Sequence, residues 1–253
     1  MKKLDYISKK WWFFFIVIAA QFLLIPFASK NFHIENINSI ISITLQNAFQ
    51  MKISEYNVYF QSLSLIIFIL LIIFKNRMKL AFNIYVSISY VVFAFIQNVA
   101  ITEKYGLSIV SINVIMFLFV AYVWIAEIFQ AKNNYQFSNF KRKYIWLVIL
   151  SLFAYLCPIS SHGLDFNPLN FFNKNSVTSF CLTTPLILTI MTLNLPKINV
   201  VTYRITAIIG FIIGLYNMLS FLNPYTVFLG VLHIPLLTIS FYCMVLSYRI
   251  KKS

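Results

Sequence analysis

His233 stands in GVLHIPLLTISFY, residues 230–242, and is one of three histidines in the chain. Pro235 follows two residues later. A proline cannot donate to the carbonyl four residues back, here Val231, so an imidazole and a freed carbonyl fall within one turn. Imidazole changes charge near neutral pH, which suits ligand binding or proton handling. The structural alternative is an interhelical hydrogen bond to Asn113 or Asn217 that only holds a bundle together.

Other chemistry-bearing residues are few. His162 and Asp165 form HxxD and, with His233, could supply nitrogen and oxygen ligands to a metal, or two histidines to a haem. No HExxH or CxxC spacing supports either. Cys157 and Cys181 flank the same loop and could form a disulfide. Thr183, Thr184 and Pro185 make TTP, where hydroxyls either satisfy carbonyls freed by the proline or open a binding half-helix. Glu127, in WIAEIFQ, is expected at headgroup level beside Lys132, with a coupling-proton role as the alternative. P-loop and GxSxG motifs are absent, and no lysine lies inside an apolar run, which disfavours ATP hydrolysis and retinal chemistry.

The elements that must position these groups are membrane helices. The 253 residues are 60% hydrophobic and 10% charged, against about 25% charged in soluble domains. Mean hydropathy is +0.82. The net charge of +14 does not imply nucleic acid, because the basic residues flank apolar runs instead of forming a patch. The chain reads as one integral membrane domain, residues 1–253. A spanning helix needs about 20 apolar residues. Eight segments qualify: 11–28, 58–75, 80–101, 107–129, 144–160, 177–195, 201–221 and 226–247. The alternation of loops then places sixteen Lys and Arg on one side and four on the other. By the positive-inside rule both termini are cytoplasmic, in the plasma (inner) membrane. The fold expectation is an all-α polytopic membrane bundle of eight transmembrane helices.

The two halves show a faint 4+4 parallel repeat. Pro26 aligns with Pro158, Asn98 with Asn217, and Asn113 with His233. Residues 37–49 show an amphipathic pattern, expected as a short helix on the outer surface or dipping into the bundle. The outer half of nearly every segment is more polar than the inner half. Gln21, Asn98, Asn113, Thr183, Thr184, Asn217 and His233 all fall there. Polar groups in hydrocarbon need polar or aqueous partners, so these seven residues are the expected ligand-binding set of a hydrated cavity open to the outer side.

The resulting expectation is a multi-pass protein, not an enzyme, that binds or transports a small solute from the outer side. Its size suits a homodimer or a partner subunit. The alternatives are a structural or sensory component docking a cytoplasmic partner through its basic loops, or a membrane enzyme or haem- or metal-binding redox subunit on His162, Asp165 and His233.

Overall fold

The structure is a computed structural model describing residues 1–137, 141–160, 163–165, 167, 171–172 and 176–250. It is mostly helical. In chain order the helices are α1 (Lys2–Ser8), α2 (Trp11–Leu23), α3 (Ile37–Gln46), α4 (Phe49–Lys52), α5 (Asn57–Phe74), α6 (Lys79–Ile96), α7 (Ser111–Gln130), α8 (Ile145–Leu156), α9 (Phe180–Leu193), α10 (Val200–Asn217) and α11 (Val227–Arg249). Each of the eight expected segments contains one helix. The stretches Ser54–Ile96 (which holds α5 and α6), Ser111–Gln130, Val200–Leu222 and Val227–Arg249 are long and apolar enough to cross a membrane, while Trp11–Leu23 and Phe180–Leu193 are apolar but shorter.

α10 forms the axis. Its residues from Val201 to Gly214 are buried except Phe211. α7, α9, α11 and the N-terminal α1 pack around it. Glycine makes the α10–α11 contact close. A Cβ on Gly214 would approach the Leu237 backbone at 2.9 Å, and one on Gly210 would run into Ser240 Oγ. The same core extends to Phe180, stacked on Phe117 with centroids 4.1 Å apart and flanked by Tyr90 and Phe93. Met1 and Ile250 line one cavity, so both described chain ends lie at the same, basic end of the bundle.

The opposite end holds structure that a purely helical expectation lacks. Strands β1 (Phe27–Ala28), β2 (Val99–Thr102) and β3 (Gly106–Ile109) form an antiparallel sheet in the order β1-β3-β2. A second pair, β4 (Ile159–Ser160) and β5 (Gly163–Leu164), is also antiparallel. The three-stranded sheet takes residues that the apolar runs 11–28, 80–101 and 107–129 had claimed for helix. Two local causes act. Pro26 lacks an N–H, and Ile25 before it is biased away from helix, so α2 ends at Leu23. Gly106 adopts φ +60°, which turns the chain between β2 and β3, and a Cβ there would run into Ser29 Oγ. The amphipathic helix is α3, which packs on this sheet around Ala28, Ile40 and Tyr105. The connections of the two chain halves are built differently: the three-stranded sheet links α6 to α7, whereas 3-10 turns at Met218–Leu222 and Pro224–Thr226 link α10 to α11.

Candidate functional site

The break in α2 creates the first feature of interest. Thirteen helical residues rise about 20 Å, short of a hydrocarbon core of about 30 Å. The last helical bond runs from the Leu24 N–H to the Ala20 carbonyl, and Leu24 is already extended. Pro26 cannot bond the Phe22 carbonyl. Irregular backbone at such depth is tolerated where it is buried in protein or lines a cavity. Here a cavity of about 260 Å³ sits against the break, lined among others by Gln21, Pro26, Asn38, Ile112 and Tyr216. α3 forms its lid through Ile37, Asn38 and Ile41. Gln21 donates from Nε2 to the Met116 sulfur at 2.9 Å.

The other expected site residues divide into separate groups. Asn113 Nδ2 donates to Asn98 Oδ1 at 2.9 Å, and Asn98 Nδ2 donates to the Phe93 carbonyl at 3.1 Å. This pair ties the top of α6 to α7. Thr183 Oγ donates to the Ser176 carbonyl at 2.9 Å, and Thr184 bonds the Tyr90 hydroxyl at 3.2 Å. Both threonines are fully buried. The carbonyl that Pro185 would free belongs to Cys181, and neither threonine hydroxyl bonds it. Asn217 Nδ2 donates to Cys181 Sγ at 3.1 Å. Cys157 and Cys181 are both thiols, so no disulfide joins them.

His233 bonds neither Asn113 nor Asn217. Its Nδ1 is buried without a hydrogen bond of good geometry among the described residues, and the Leu229 carbonyl one turn back is a polar neighbour. The antiparallel register set by Gly210–Ser240 and Gly214–Leu237 continues to place Asn217 at the level of His233. Cys181, Asn217 and His233 therefore share one depth at the ends of α9, α10 and α11. None of the three lines the cavity at the α2 break.

His162 lies outside the described residues, so the HxxD set is not defined here. The Asp165 carboxylate accepts from the Asn167 N–H at 3.1 Å in a local turn. Among the described residues no three His, Cys, Asp or Glu side chains gather as a metal site.

No family model matches the chain, and comparison with curated proteins and with solved structures gives no match.

Two polar constructions at the basic end escaped the sequence. Glu127, one turn from the end of α7, is fully buried beside Lys132. Its carboxylate accepts from the Asn133 N–H and from Asn199 Nδ2, both at 2.6 Å. Asn133 Oδ1 in turn accepts from the Asn199 N–H at 2.7 Å, and Asn199 Oδ1 caps α10 through the Val201 N–H at 3.1 Å. Asn133 Nδ2 donates to the Tyr135 hydroxyl, which donates to Asn83 Oδ1 at 2.8 Å. Burial, and then the Glu127 charge, push the Tyr135 phenol well above its usual range. The loop after α7 is thus fastened inside the bundle. The cue was the asparagine-rich AKNNYQF, read only as a basic loop.

The second construction is a buried ion pair. Arg204, fully buried in α10, reaches Asp5 Oδ1 at 3.1 Å, Ser8 Oγ at 3.0 Å and the Ser247 carbonyl at 3.2 Å. Its guanidinium also lies over the Tyr248 ring. Arg204 had been counted only as one more positive charge on the inner side. No sequence signal joins it to a partner 199 residues away.

Proposed function

We propose that the chain is an eight-span membrane protein, both termini cytoplasmic, that binds a small polar solute from the non-basic side. The binding place is the cavity between the α2 break, α3 and the ends of α7 and α10. One observation carries this: a 13-residue apolar helix, about 10 Å shorter than a hydrocarbon core, ends against a cavity whose lining includes the Gln21 and Asn38 amides. Amide side chains and unbonded backbone carbonyls offer both donors and acceptors to a neutral polar solute. Discontinuous helices of this kind surround substrate sites in many transporters. His233 and Asn217 do not line this cavity.

The test is accessibility. Cysteine is placed at Gln21 or Asn38 in a background lacking the three native cysteines, and a membrane-impermeant thiol reagent is added to each side of oriented membranes. Labelling from the non-basic side, at a rate comparable with a control cysteine at exposed Lys30, is expected. A position 21 that resists reagent from both sides while Lys30 reacts would remove the hydrated cavity and the proposal with it.

A further inference from the structure

A second cavity, about 320 Å³, opens at the basic end. Its walls come from four separated parts of the chain, one of them Ile250 after α11. Lys2, Asp5 and Lys9 belong to the N-terminal segment, Lys132 to the loop after α7, and Ile198, Asn199, Val200 and Val201 to the start of α10. Three exposed lysines face one carboxylate there. That carboxylate is already engaged: Asp5 holds Arg204 at 3.1 Å and Lys9 at 3.5 Å. The nearby Glu127 carboxylate is taken up by Asn133 and Asn199 and offsets part of the Lys132 charge. Lys2, Lys9, Lys132 and Arg204 thus outnumber Asp5 and Glu127, and the cavity carries an excess of positive charge in a concave space, with apolar walls from Pro196, Ile198, Val200, Val201 and Ile250. Lysines converging without enough carboxylate repel one another, and a phosphate would relieve this by accepting from several ammonium groups at once.

We propose that this cavity is a binding site for a phosphate-bearing anion, held by Lys2, Lys9 and Lys132. The site does not depend on the solute cavity at the opposite end. Two sources share the chemistry. One is the headgroup of an anionic lipid, whose acyl chains would run along the apolar walls, because basic pockets among membrane helices on this side commonly take such headgroups. The other is a soluble phosphate.

The experiment uses the full chain in nanodiscs and follows thermal unfolding. Phosphatidylglycerol is titrated into phosphatidylcholine, and in parallel inorganic phosphate is added to phosphatidylcholine discs. The test variant is Lys2→Gln, Lys9→Gln, Lys132→Gln. A charge-matched control is Lys141→Gln, Arg142→Gln, Lys143→Gln, at exposed positions that do not line the cavity. Each lysine bonding the phosphate directly contributes roughly tenfold, so the test variant should lose at least about a hundredfold more apparent affinity than the control, which removes only general surface attraction. Stabilisation by phosphatidylglycerol alone, lost in the test variant, supports a lipid headgroup. Stabilisation by inorganic phosphate, lost in the same variant, supports a soluble ligand. No stabilisation by either probe, or equal loss in test and control variants, overturns the site, because general surface charge then accounts for everything.

Discussion

Replacing Asp5 by Asn tests whether the N-terminal helix is held by a buried charge. Arg204 is fully buried and Asp5 nearly so. At 3.1 Å two unit charges attract by about 5 kcal/mol at an effective dielectric of about 20. Removing one partner of such a pair typically costs about 3–5 kcal/mol, because the other charge stays buried without compensation. Here Arg204 keeps the Ser8 hydroxyl, the Ser247 carbonyl and the Tyr248 ring, so the lower end, about 3 kcal/mol, is expected. Lys9, exposed on the far side of Asp5, adds at most about 1 kcal/mol. Arg204→Met alone strands the carboxylate and should cost a similar amount. The double variant, with no buried charge left, should recover most of the loss. Equilibrium unfolding in mixed micelles across all four proteins gives the coupling, expected to exceed about 2 kcal/mol. If Asp5→Asn falls within about 0.5 kcal/mol of wild type and the two single effects simply add, the pair is solvated and does not hold α1 against α10.

Three further outcomes follow from named contacts. Glu127→Gln puts an amide donor where Asn133 N–H and Asn199 Nδ2 both donate. It should cost about 1–3 kcal/mol and speed hydrogen exchange at Asn133–Tyr135, whereas unchanged exchange there would mean the loop is held by other bonds. Gly106→Ala forces a side chain into a left-handed conformation beside Ser29. It should destabilise the β1-β3-β2 sheet by more than about 1 kcal/mol, seen as faster protease cleavage near residue 106. His233→Leu removes a buried Nδ1 whose one polar neighbour among the described residues is the Leu229 carbonyl, without good hydrogen-bond geometry. Thermal stability should be unchanged or raised, and a loss above about 1 kcal/mol would show that the imidazole is bonded in the folded state.

The apolar runs placed a helix in each expected segment, because a chain that must satisfy its backbone in lipid has few options and because the basic residues mark where the runs end. The amphipathic period of residues 37–49 likewise located α3. Helix ends were less legible. The strands at 99–102 and 106–109 are as apolar as the helices they interrupt. Only the left-handed Gly106 and the pairing with residues 27–28 separate them from helix, and pairing is a long-range event.

The sequence supplied the residue types of Gln21, Asn98, Asn113, Thr183, Thr184, Asn217 and His233 and the apolar segment that carries each. Which of them meet it did not supply. Asn98 and Asn113 pair across one tight connection, Asn217 turns to Cys181, and His233 meets neither asparagine. Those outcomes depend on helix rotation about its own axis, and rotation is set by packing: the two α10 glycines against α11, and Phe180 stacked on Phe117. A sequence that is apolar on every side of a helix carries little rotational information. The buried Asp5–Arg204 pair and the closed Glu127 network belong to the same class, since each joins residues that only the folded bundle brings within hydrogen-bonding distance.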